Sequence, residues 1–525
     1  MPIAARHPLF AGLRGEELDA IQSSMRSRQF EAQEIICRAG EPGDSLLLIE
    51  SGLARVILED RVVAKLRRGD VVGEMALVTG EPRSATVVAA VPTETLELRR
   101  QDFGALVARH PQLLANLNQI LSQKLAETTA RVGEPRARGE AVALIVGAAA
   151  KHLVPDILAA AESASPTPIA SLEAGGSFEQ ALSALDDLVA EHSTVVVVAD
   201  RGEERLPLLV DAADRAVALI AAEEEAELDG VGEVVTIDAA DPSKVAWLGR
   251  HLTRTKLGLA LGAGGAKGYA HIAAYRALEE AGYTVDYVAG SSIGAIIGGW
   301  IALGLASHEV EAAMRHAFRP EVVEDIFKLS LSGTSTGLET MKTVLSEATQ
   351  GLAFEDLQLP LAVMTVDLNT RQPAPVTAGP LWEAMVAAIA LAGIFPPFER
   401  NGQRLIDGLA LVPVPTDSVV EAGADVTVAI NIMSRETLPA WPGEVPPPTP
   451  EAGRQRMLDT LLEVMDLAQT DASERHAARA DVVVTPLFGP ASWRDFHLAD
   501  LFLEAGRVAA EEQLRALRDL ARPQS

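Results

Sequence analysis

The run Leu257-Gly-Leu-Ala-Leu-Gly-Ala-Gly-Gly-Ala-Lys-Gly268, followed shortly by Gly290-Ser-Ser-Ile-Gly294, constrains this chain more than any other feature. The first run is an apolar strand opening into a glycine-rich loop. Such a loop can aim bare backbone N–H groups at a developing negative charge. The second sets Ser292 after the apolar Val285-Asp-Tyr-Val-Ala289 and before Ala295-Ile-Ile-Gly-Gly-Trp-Ile301. That pattern predicts a strand, a tight turn carrying the serine, and a core helix. A hydroxyl and a cradle of amides at the ends of neighbouring strands suit acyl transfer through serine.

Other readings of these residues fit less well. Gly-x-Ser-x-Gly recurs at Gly333-Thr-Ser-Thr-Gly337, but Ser335 has no glycine-rich loop shortly upstream and reads as a turn before a helix at Leu338. In the loop Gly262–Gly268, Lys267 is followed by Gly268 rather than Ser or Thr, which removes the magnesium ligand of a P-loop. The glycine spacing does not match the dinucleotide fingerprint either. Tyr287 to Ala306 carries no charge, yet it holds Gly290, Gly294, Gly298, Gly299 and Gly304. It reads as a buried turn plus a core helix rather than a membrane span. Ser292 needs a base, and His308, His316, His476 and His497 all fall in helical-looking runs. Asp407 is better placed: Asn401-Gly-Gln-Arg-Leu-Ile406 reads as a hairpin strand ending at Asp407-Gly408. Desolvation raises a carboxyl from its usual pKa of about 4 towards useful basicity.

The 525 residues are 48% hydrophobic and carry a formal charge of −28. Residues 1–130 hold 15 Lys+Arg against 17 Asp+Glu, so the acidic excess lies downstream. That balance argues against a nucleic-acid partner. With the single cysteine Cys37 no intramolecular disulfide forms, and the composition suits a reducing compartment. Residues 1–130 alternate short strands with glycine turns, as in a β-barrel or jelly roll, then turn helical from 102, with a break at Pro111. Residues 141–256 read as an α/β linker domain with buried parallel strands at Ala141–Val146, Thr194–Ala199 and Arg215–Ile220 and no assigned chemistry. Residues 257–435 form the catalytic domain. Residues 436–525, a proline-rich loop, a strand at Asp481–Thr485 and a helix from about Asp495, complete it.

The glycine-rich loop, Gly-Ser-Ser-Ile-Gly and the later Asp-Gly, in this order on an α/β scaffold, resemble the patatin-like phospholipases. Val366-Asp-Leu-Asn-Thr370 and Ala390-Leu-Ala-Gly-Ile-Phe-Pro-Pro-Phe398 extend the likeness. The resemblance implies a Ser-Asp dyad, with Ser292 as nucleophile and Asp407 as base. It also implies an oxyanion hole at Gly264, Gly265 and Ala266, a loop completed by Gly262, Lys267 and Gly268, and an elbow at Gly290 and Gly294. Three residues depart from the pattern: Ala263, Leu409 and Ala392. They leave a second reading open, an inert patatin fold acting as a nucleotide-responsive binding module.

Gly73-Glu-Met-Ala-Leu-Val-Thr-Gly-Glu-Pro-Arg-Ser-Ala-Thr86 resembles the phosphate-binding cassette of cyclic-nucleotide-binding domains. Arg83 offers a fork of donors to a cyclic phosphate, Gly73 opens a short helix, Glu74 accepts from a ribose hydroxyl, and Ser84 donates to phosphate. A barrel of this kind joined to a patatin-like domain resembles the neuropathy target esterase group and its bacterial relatives. What that resemblance implies is a lysophospholipase or carboxylic-ester hydrolase that needs no metal or cofactor. Its partners would be a lipid substrate, a transient membrane contact at the inner face, and cAMP or cGMP as regulator, in a cytoplasmic setting.

Overall fold

The computed structural model describes residues 7–13, 15–58, 61–129, 139–173, 177–220, 233–236, 241–327, 337–392, 394–446 and 456–524. Ser335 lies outside them. The chain divides into two compact units, residues 1–162 with 167–252, and residues 163–166 with 253–525.

The first unit opens with a jelly roll of two four-stranded sheets. One runs in the order Arg26–Phe30, Thr93–Arg99, Ser45–Ser51, Val71–Val72; the other runs Ile35–Cys37, Thr86–Ala89, Leu53–Leu58, Arg61–Arg67. Helices Arg100–Arg109 and Gln112–Thr129 follow, separated at Pro111 as expected. A five-stranded sheet comes next in the order Ile169–Glu173, Thr194–Asp200, Glu140–Val146, Arg215–Ile220, Glu233–Thr236, and every pair is parallel. Unbroken apolar strands of this kind need both faces covered. Leu53, Ala90 and Val91 of the jelly roll are buried in the same cluster as the helices on one face of this sheet. Lys65 Nζ donates to the carbonyls of Val210 (2.9 Å) and Ala213 (3.1 Å) at the end of helix Leu206–Ala212, and Arg55 pairs with Asp211. The jelly roll and the parallel sheet therefore form one body.

The second unit is built on an eight-stranded sheet. We label its main elements β1 (Leu257–Leu261), α1 (Tyr269–Glu280), β2 (Val285–Ser291), α2 (Ile293–Ala302), β3 (Leu361–Asp367), β4 (Phe398–Arg400), β5 (Gln403–Asp407), β6 (Val426–Ile430), β7 (Val482–Val484) and α3 (Ala499–Arg518). The order is β4-β5-β3-β2-β1-β6-β7, parallel from β3 through β7, with β5 antiparallel to β3 and to β4. The short Gln372–Pro373 strand pairs with β3. The uncharged stretch at 287–306 is a buried strand, a turn and the wholly buried helix α2. Among the described residues no helix is long and apolar enough to cross a membrane. Trp441 packs against Phe488 and Phe502 and donates to the Pro490 carbonyl at 3.1 Å, so it serves the core.

Candidate active site

Ser292 is the single residue between β2 and α2, with φ 54° and ψ −125°. A side chain rarely takes this conformation, and the strain is of order 1–3 kcal/mol. The flanking glycines make the turn sterically feasible. A Cβ on Gly290 would lie 2.2 Å from the Gly294 carbonyl oxygen, and one on Gly294 would lie 2.3 Å from the Leu261 oxygen. The elbow is thereby pressed against the end of β1, where the glycine-rich loop starts. The N-terminus of α2, whose dipole favours negative charge, begins at the serine.

Sheet register brings the carboxylate to the hydroxyl. Ser291 is opposite Met364 on one side of β3, and Asp407 is opposite Thr365 on the other. The Ser292 hydroxyl donates to Asp407 Oδ2 at 2.7 Å, and the Leu409 N–H donates to Oδ1 at 2.9 Å. Asp407 is 3% exposed. Burial pushes its carboxyl up to about 7, against the smaller opposing effect of the bonds from Leu409 and Ser292. Leu409, a departure from the expected pattern, thus helps to hold the carboxylate through its backbone.

Main-chain accounting identifies the free amides of the glycine-rich loop. The Gly262 N–H bonds the Ile430 carbonyl (3.1 Å) and the Ala263 N–H bonds the Pro413 carbonyl (2.9 Å). The Gly262 carbonyl is held by His271 Nε2 at 2.8 Å. The Ala266 N–H donates to the Trp493 carbonyl at 2.7 Å. This corrects the expectation that Ala266 is an oxyanion donor: its hydrogen is already engaged inside the protein. Gly264 and Gly265 face the cleft, and no acceptor within the described residues engages their N–H groups. Lys267 turns away from the cleft, its Nζ 5.5 Å from the centre of the Phe488 ring, and Gly268 packs against Ile293.

The cleft encloses about 840 Å³ of empty space, part of it open to solvent. Its polar groups are Ser292, Asp407 and the loop amides. The rest of the lining is apolar, including Phe318, Phe395, Leu409, Met433, Trp493 and Phe496. Among the described residues no histidine lines it. His308 and His316 lie on helix Ser307–Ala317, His476 on helix Arg456–Ala477 and His497 in a single turn before α3.

In the jelly roll, Gly73 precedes a short helix, Glu74–Thr79. Glu74 is 9% exposed and Arg83 is 7% exposed, while Ser84 is at the surface. The turn Gly40–Glu41 brackets the main chain of Arg83 with two 2.8 Å hydrogen bonds. Arg83 Nη2 donates to the Ser45 carbonyl at 2.7 Å, and its Nη1 is buried without an acceptor among the described residues. A Cβ on Gly73 would meet that Nη1, so only glycine leaves the guanidinium its place.

A family model described as patatin-like phospholipase matches residues 259–420, and one described as cyclic nucleotide-binding domain matches residues 27–110. The chain couples a patatin-like phospholipase domain to a cyclic nucleotide-binding domain. An uncharacterized NTE family protein of Mycobacterium tuberculosis is 27% identical over 98% of this chain and 96% of its own length. Human patatin-like phospholipase domain-containing protein 6 is 24% identical over 77% of this chain and 37% of its own length. The solved catabolite activator protein of Thermus thermophilus is 30% identical over 30% of this chain and 67% of its own, with a TM-score of 0.22. The patatin-like match ends at residue 420, before Met433 and the two aromatic residues Trp493 and Phe496, which line the cleft. Sequence reasoning missed Trp493 and Phe496, and it missed His271, the lone charged or ionisable nitrogen group among the buried residues of α1.

Proposed function

We propose that this chain is a serine-dependent acyl hydrolase of lysophospholipids or related carboxylic esters, working at a lipid surface in a reducing compartment, with a cyclic nucleotide as its regulatory ligand. The observation that carries this reading is the 2.7 Å bond from the Ser292 hydroxyl to a buried Asp407 carboxylate at the floor of an apolar cleft. In the proposed reaction Ser292 Oγ attacks the acyl carbonyl carbon while its proton passes to Asp407 Oδ2. The carbonyl oxygen, now negative, takes the N–H groups of Gly264 and Gly265. Asp407 returns the proton to the departing alkoxide, which leaves an acyl-serine. Water then attacks that ester with Asp407 as base again, releasing the fatty acid and restoring the hydroxyl. A carboxyl with a pKa near 7 suits both proton transfers at neutral pH, which supports a dyad without imidazole.

The test is covalent labelling with a fluorophosphonate, alongside lysophospholipid hydrolysis with and without cAMP or cGMP. We expect the label on Ser292, and loss of both label and turnover in Ser292→Ala with cyclic-nucleotide binding retained. Full turnover by that variant overturns the assignment. An unlabelled wild-type protein without turnover favours the inert binding module.

A further inference from the structure

The segment Ser492–Phe496 forms a self-braced strap that places Trp493 and Phe496 in the lining of the cleft. The Asp495 carboxylate accepts from the Ser492 N–H at 2.6 Å, the Asp495 N–H returns to the Ser492 carbonyl at 3.1 Å, and the Arg494 guanidinium lies 4.8 Å from the centre of the Trp493 ring. Its tip is fastened to the glycine-rich loop by the Trp493 carbonyl, which accepts from Ala266. The approach is close enough that a Cβ on Gly265 would lie 2.4 Å from the Trp493 oxygen and 3.1 Å from Trp493 Cε3. The indole therefore stands beside the amides that face the reacting carbonyl. Phe496 stacks on Phe318 with centroids 4.8 Å apart and planes within 9°, and both rings line the same cleft. An aromatic surface beside those amides favours contact with a straight methylene chain over one branched at the carbon next to the carbonyl.

We infer that Trp493 and Phe496, on a strap outside the matched patatin-like span, are the residues that set acyl selectivity, and that they hold the cleft to unbranched chains. The inference rests on the acyl-hydrolase reading above. Two isomeric esters test it, p-nitrophenyl valerate and p-nitrophenyl trimethylacetate, which share their atoms and leaving group and differ only in branching. Wild-type protein is expected to prefer the valerate. Trp493→Ala should shift the ratio of kcat/KM values at least about tenfold towards the branched ester, a shift of about 1.4 kcal/mol. Phe496→Leu, which keeps an apolar side chain in place and guards against misfolding of the larger truncation, should shift it in the same direction. Trp493→Phe should stay near wild type. Fluorophosphonate labelling of Ser292 reports whether each variant keeps its site. An unchanged ratio in both truncations, or an equal loss on both esters, overturns the role of the strap. Failure of the wild-type protein to hydrolyse either ester or to take the label overturns the hydrolase reading instead.

Discussion

Replacing Asp407 by asparagine separates what the carboxylate does for the reaction from what it costs the fold. The group sits near 7 in the native protein because burial disfavours its charged form. An aspartate in an unfolded chain titrates near 3.9. Between those values the native state holds a proton that the unfolded chain has released, so stability falls as pH rises, by about 1.4 kcal/mol per unit. Over roughly three units the loss reaches about 4 kcal/mol, complete once the pH is above the native value. Asparagine has nothing to ionise. Asp407→Asn should therefore stabilise the second unit by up to about 4 kcal/mol near pH 8, and leave it nearly unchanged near pH 3, where both carboxyls are largely protonated. Comparing wild type with this variant at each pH cancels the contribution of every other titrating group. The same substitution should abolish the base, with kcat/KM reduced by at least about a hundredfold. In the wild-type protein kcat/KM should fall about tenfold per unit below pH 7 and level off above it. The assays are denaturant melts from about pH 3 to 9 and p-nitrophenyl valerate hydrolysis from about pH 5 to 9. An acid limb centred below about pH 5, or a variant that loses stability at pH 8, would refute the claim that burial sets the basicity of Asp407.

Two further outcomes follow from buried hydrogen-bonding groups. Arg83→Ala removes the charged donor aimed into the nucleotide cassette, and with charge-assisted bonds of about 1.5–3 kcal/mol it should weaken binding of fluorescent cAMP or cGMP analogues by at least about tenfold. Unchanged affinity would mean that the barrel holds no phosphate there. His271 is fully buried, and burial pushes its imidazole down to about 4 despite the opposing bond to Gly262, so it stays a neutral donor across the working range. His271→Phe strands the Gly262 carbonyl and should lower kcat about tenfold or more with little change in KM. His271→Gln, which keeps an N–H near the Nε2 position, should recover most of the rate and keep the acid limb near pH 7. Equal losses in both variants would point to a packing role alone.

What the sequence disclosed and what it hid divide along chain separation. The Ser292 elbow was legible because its strand, turn and helix are contiguous and each has its own periodicity, and the parallel strands at 140–146, 194–200 and 215–220 were legible as unbroken apolar runs. Asp407 was legible because an Asp-Gly pair ends a local hairpin, although its distance from Ser292 depends on β3 lying between them. The use made of Ala266 was not legible, because its acceptor is the carbonyl of Trp493, far along the chain, and a main-chain acceptor leaves no trace in residue type. Two weak signals were available. One was a polar His271 on the buried face of a helix, which must find a partner. The other was a pair of aromatics, Trp493 and Phe496, at the start of the last predicted helix in a chain that is only 4% aromatic. Both point to the same physical requirement. In the proposed reaction the oxyanion hole needs amides that are free while their neighbours are tied, which gives weight, next to Ser292 and Asp407, to the residues that occupy the other hydrogen bonds of the loop: Ile430, Pro413, His271 and Trp493.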